Sequence, residues 1–89
     1  MNTDDQLFTQ LLSIFYSSAM MAMGKLKNPV TDQIERNLEQ AKQSIDILEL
    51  IKEKTKNNLT DLQKRTLEGL LTDLRLNYVD ESNKDLIHS

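Results

Sequence analysis

At 89 residues the chain has room for one domain with a marginal core, and chains of this size often gain stability by oligomerising. Two Gly, one Pro and 38% apolar residues suit a helical protein and fit an all-β one poorly. The formal charge of −3 and a pI of about 5.0 argue against a general nucleic-acid binder, because affinity for the phosphate backbone comes from clustered Lys and Arg.

Cysteine is absent, which removes disulfides, zinc-thiolate sites and thiol catalysis together. The single histidine, His88, stands next to the last residue, so the Glu-x-x-His pairs that hold metals inside helical bundles cannot be built. No cofactor or metal is expected. The opening residues Met1, Asn2, Thr3, Asp4 and Asp5 lack the basic start of a signal peptide, and cytoplasmic residence is the expectation.

The capping pattern Thr3 to Gln6, with Asp4 and Asp5 at the positive end of the dipole, predicts the start of helix 1. Gly24 predicts its end, because glycine takes the left-handed conformation that closes a helix. Between them, Leu7, Leu11, Leu12, Ile14, Phe15, Tyr16, Ala19, Met21, Ala22 and Met23 sweep an apolar arc of roughly 220°, leaving a polar strip of Gln6, Thr9, Gln10, Ser13 and Ser17. An arc this wide needs neighbours on two sides. Helix 1 is either the centre of a bundle or the meeting point with a second chain. Ser18, Ala19 and Ala22 would admit another backbone closely. The apolar run is too short, and too often interrupted by serine, to span a bilayer.

Asn28 and Pro29 break the pattern, since the residue before proline leaves the α region. Helix 2 is predicted over 32–56, opened by Asp32 and Glu35 as a capping box. Ile34, Leu38, Ala41, Ile45 and Leu48 step along a heptad seam, and a second row of Ile47, Leu50 and Ile51 predicts burial on more than one side. Lys56, Asn57 and Asn58 make a turn. Thr60 and Gln63 form a third capping box, and helix 3 is predicted over 60–79, with Leu67, Leu70, Leu71, Leu74 and Tyr78 on one face and Leu62, Leu76 and Val79 widening it. Gly69 in mid-helix suggests a close backbone crossing. Residues 80–89 are polar and aperiodic, so a flexible tail after a single 1–79 helical domain is expected.

The runs SSAMMAMGKLKNPVT, LEQAKQSIDILELIKEKTKNNLT and LEGLLTDLRLNYV resemble a bacterial family catalogued as domain of unknown function 1844. The resemblance covers nearly all of residues 7–79 and rests on Ser18, Ala19, Met20 and Gly24; Asn28 and Pro29; Ile45 and Asp46; Lys54 and Thr55; Asn58 and Leu59; and Leu74, Arg75 and Tyr78. Chains of this kind commonly carry Gly where this one has Asp32 and Asn57. The resemblance implies a helical fold and transfers no activity.

Little else in the sequence carries chemistry. Glu49, Glu53 and Asp46 belong to a charged face mixed with Lys42, Lys52 and Lys54, which reads as solvated surface; Ser17 and Ser18 lack a neighbouring base. Arg75, enclosed by Leu74, Leu76 and Val79, calls for a carboxylate, and Asp46 on helix 2 is the expected partner. Lys52, Lys54, Lys56, Lys64 and Arg65 surround the second turn, where helix C-terminal placement explains the first three without a ligand. Met20, Met21 and Met23 suit core or dimer packing, or an adaptable surface for another protein.

Two function classes follow. The first is a non-enzymatic self-association module, a homodimer whose interface uses Phe15, Tyr16, Ser18, Ala19, Met20, Ala22 and Met23. The second is a binder of a small apolar or lipid-like ligand on the same surface.

Overall fold

A computed structural model of the chain describes residues 3–88; Met1, Asn2 and Ser89 lie outside the described residues. Three helices follow one another: α1 spans Thr3–Ala22, α2 spans Leu38–Lys54 and α3 spans Asp61–His88. No strand occurs among the described residues, and the architecture is the all-α three-helix domain that the apolar stripes predict.

Hydrogen bonds between the elements fix the directions of the helices. Gln63 Nε2 donates to Asp5 Oδ1 at 2.9 Å and the Tyr16 hydroxyl donates to Asp73 Oδ2 at 2.7 Å, so α1 and α3 run parallel. Ser44 Oγ donates to Ser18 Oγ at 3.3 Å and the Asn37 amide donates to the Ala22 carbonyl at 2.7 Å, so α2 runs antiparallel to α1. The result is an up-down-up bundle. Its core is Leu12, Ala19, Ala22 and Met23 from α1 and its C-terminal turn, Ala41, Ile45 and Leu48 from α2, and Leu67, Leu71 and Leu74 from α3.

The first helix ends as its sequence predicts. Gly24 has φ +79°, its amide donates to the Met21 carbonyl at 3.0 Å, and the Lys25 amide donates to the Met20 carbonyl at 2.9 Å. That pair of bonds is the Schellman closure, which satisfies carbonyls the helix leaves free.

The connection to α2 is longer than expected. Helix 2 begins at Leu38 and not at residue 32, because residues 28–33 close a local loop of their own. Asn28 Oδ1 accepts from the Val30 amide at 2.9 Å, Asp32 sits in the left-handed region at φ +55°, and the Asn28 amide donates to the Gln33 carbonyl at 2.8 Å. The Asp32–Glu35 capping box is therefore not formed. Asn37 is the cap, its side chain accepting from the Gln40 amide at 3.2 Å.

After α2, Asn57 takes φ +67° to make the turn. The third box forms as predicted: the Gln63 amide donates to Thr60 Oγ1 at 3.1 Å and the Thr60 amide donates to Gln63 Oε1 at 2.9 Å. α3 then continues past Val79 to His88, so residues 80–88 are helical where a flexible tail is expected from the sequence. Gly69 makes no close crossing; a Cβ added there would meet nothing within 4 Å.

Candidate interaction surface

The apolar arc of α1 divides into two parts. Ala19, Ala22 and Met23 are buried in the chain's own core, and Phe15, Tyr16 and Met20 pack half-buried against it. Ser18 is held by its bond to Ser44, so α2 of the same chain takes the close approach that the small residues allow. Ala19, Ala22 and Met23 of the expected interface are thus used inside the chain, while Phe15, Tyr16, Ser18 and Met20 keep part of their surface open. What stays exposed is the rest of the arc: Leu7, Leu11 and Ile14.

Those three have a counterpart on α2. Ile47 and Leu50, expected to be buried, are 38% and 54% exposed. Their position follows from the bonds to α3. Tyr16 reaches Asp73 on α3, and Glu49 pairs with Arg75 on α3. Ile14 and Ile47 each stand two residues earlier, hence about 160° around their helices and away from α3. The Ser18–Ser44 bond sets their level: Ile14 lies about 6 Å from Ser18 along α1, and Ile47 about 4.5 Å from Ser44 along antiparallel α2. Leu11 and Leu50 follow one turn further on. The five residues form one apolar face over the α1/α2 groove.

The α1 half of this face is uncharged. No residue from Gln6 to Gly24 carries a charge, and on α2 the side of Gln40, Gln43, Ile47 and Leu50 meets charges only towards its outer edge, at Asp46 and Lys54, one turn either side of Leu50. Charge depletion with apolar exposure marks the core of protein interfaces. The outer side of α3 also exposes Leu76 and Val79, but Arg75 and Asp80 flank them.

The charged residues are engaged among themselves. Arg75 pairs with Glu49, one turn from the expected Asp46, whose carboxylate is taken by Lys42 at 2.9 Å on its own helix. The i,i+4 spacing gives Lys42 a local route to Asp46, and Arg75, its side chain 49% exposed, takes the next carboxylate along. The basic cluster is neutralised by position: Lys52, Lys56 and Lys64 line a cleft of about 580 Å³ beside the α2–α3 turn, together with Glu49, Glu53, Asp61 and Glu68.

The strongest ionic site is one the sequence does not announce. Glu81 on α3 is 6% exposed and receives Lys84 Nζ at 2.7 Å, Lys25 Nζ at 3.0 Å and Arg36 Nε at 3.1 Å. Arg36 Nη2 also donates to the Glu81 carbonyl at 3.0 Å and pairs with Asp85 at 2.9 Å. Lys84 foremost, with Lys25 and then Arg36, holds the Glu81 carboxyl down at about 2 against the cost of burial. Lys25 and Arg36 stand at the two ends of the α1–α2 loop, so this carboxylate fastens the loop to α3.

Among the described residues no group of three or more His, Asp or Glu is placed to hold a metal ion, and no helix is long and apolar enough to cross a membrane. No curated protein and no solved structure matches the chain. A family model described as Domain of unknown function (DUF1844) matches residues 5–81, which takes in α1, the loop, α2 and α3 as far as Glu81. The chain belongs to that family.

Proposed function

We propose that this chain is a non-enzymatic helical self-association module that acts as a homodimer and can present its remaining surface to another protein. The observation that carries the reading is the surplus of apolar surface. Among the described residues, more large apolar side chains are exposed than buried. The accessible surface is 6361 Å², whereas a folded monomer of 10.3 kDa exposes about 5,400 Å² by the usual mass scaling. A surplus of about 1,000 Å² is comparable to the roughly 800 Å² that each partner contributes to a standard interface.

The competing reading, an apolar or lipid-like ligand, finds less support. The cleft beside the α2–α3 turn is lined mostly by charged residues, and the exposed side of α1 has no Lys or Arg to meet lipid headgroups. The net charge of −3 favours a protein partner over nucleic acid. A cytoplasmic setting belongs to the same proposal and rests on the sequence alone. Light scattering across the micromolar range tests it: a dimer mass is expected, and a monomer mass throughout would return the ligand reading to first place.

A further inference from the structure

We propose that the second copy seats on the α1/α2 face that points away from α3. Two protomers then form a four-helix layer from α1 and α2, with the α3 helices outside. This inference rests on the self-association reading and names the surface that serves it.

Charge selects this face. A two-fold contact sets each patch against itself, so any charge near its centre meets its own copy, at a cost. In a chain with 28% charged residues, α1 offers an uncharged run from Gln6 to Gly24 to hold the two-fold axis, while Ile47 and Leu50 of α2, beside Asp46 and Lys54, lie towards the rim, where charges do not meet their own copies. The α3 alternative would bring Arg75 and Asp80 of both chains to the seam.

The spacing along α1 is self-complementary as well. Ile14 is the most exposed large apolar residue of α1, at 62%, and it stands midway between Leu7 and Met21. With the two-fold axis at Ile14 and the α1 helices antiparallel, Leu7 meets the partner's Met21. Leu11 then meets the partner's Ser17, whose small side chain lets the helices close. The half-buried Met21 at the edge of the patch supplies flexible apolar contact.

The absence of native cysteine makes the test direct. Ile14→Cys on the axis should give a disulfide-linked dimer under mild oxidation at least about 10-fold faster than Leu76→Cys, which is equally exposed at 68% but lies on α3. Ile14→Lys and Leu50→Lys, both more than half exposed in the single chain, should keep the helical circular dichroism and weaken dimerisation about 100-fold or more. If the wild type is a dimer but both lysine variants stay dimeric, or Leu76→Cys links as fast as Ile14→Cys, the face is wrong and self-association stands. A monomeric wild type overturns both.

Discussion

Glu81 does at the level of one carboxylate what the sequence assigns to no residue: it closes the α1–α2 loop onto α3. Its folded pKa of about 2 lies below the ordinary value near 4.3. Folding therefore gains from this group above the ordinary carboxylate range, and the gain is lost as pH falls from there through about 2. Glu81→Gln, which leaves Lys25, Arg36 and Lys84 facing a neutral amide, is expected to lower stability by about 2 kcal/mol at neutral pH. The gap between wild type and variant should narrow towards pH 2; urea unfolding at both pH values measures it. A second residue-scale expectation concerns Asp32 and Asn57, the non-glycine residues with positive φ. These are the two positions where the resemblance implies glycine; the left-handed turn at Asn57 was readable, since asparagine is the best non-glycine residue for a left-handed cap, whereas Asp32 read as a helix cap. Glycine at either should stabilise, and alanine should cost about 1 kcal/mol, as thermal melts of the four variants would show.

The body of each helix was legible from its apolar spacing. Gly24, Thr60 with Gln63, and the Leu67–Leu71–Leu74 face all do in the structure what their sequence positions imply. Two boundaries were not legible, for related reasons. The start of α2 was misplaced because Asp32 and Glu35 mimic a cap, while the closing of the 28–33 loop depends on the backbone turn at Asp32. The end of α3 was misplaced because its inward residue is a charge. Glu81 occupies a core-facing position that an apolar count scores as polar, and its partners Lys25 and Arg36 are far away in sequence. Asp80 to Lys84 and Glu81 to Lys84 add local pairs that favour the helix. Gly69 makes a clean test of α3 as an element, since it is helical, exposed and without a neighbour for a Cβ. Gly69→Ala should stabilise by about 0.5–1 kcal/mol, and a loss of stability or of dimer would place the partner against α3.

At the scale of the molecule, shape and surface point the same way. The radius of gyration is 14.2 Å, above the roughly 12 Å usual for this length, and the thinnest dimension is 16 Å. A slab of three helices cannot enclose all its apolar residues, and the sequence foretold this through the width of the α1 arc. It could not foretell which part of the arc stays outside, because that depends on how far α2 and α3 wrap around Ala19 and Met23. If the surplus surface is covered by a second copy, stability becomes linked to concentration, since only the folded chain presents the α1/α2 face and dimerisation draws the equilibrium towards it. The melting temperature of the wild type is then expected to rise over a hundredfold increase in protein concentration. Leu50→Lys should melt at a temperature independent of concentration, close to that of the most dilute wild type, because Leu50 is 54% exposed and takes little part in the core of the single chain. Melts of the two proteins side by side by circular dichroism read both effects, and a wild-type melting temperature that stays flat would mean the slab is stable alone and its apolar face serves something other than its own copy.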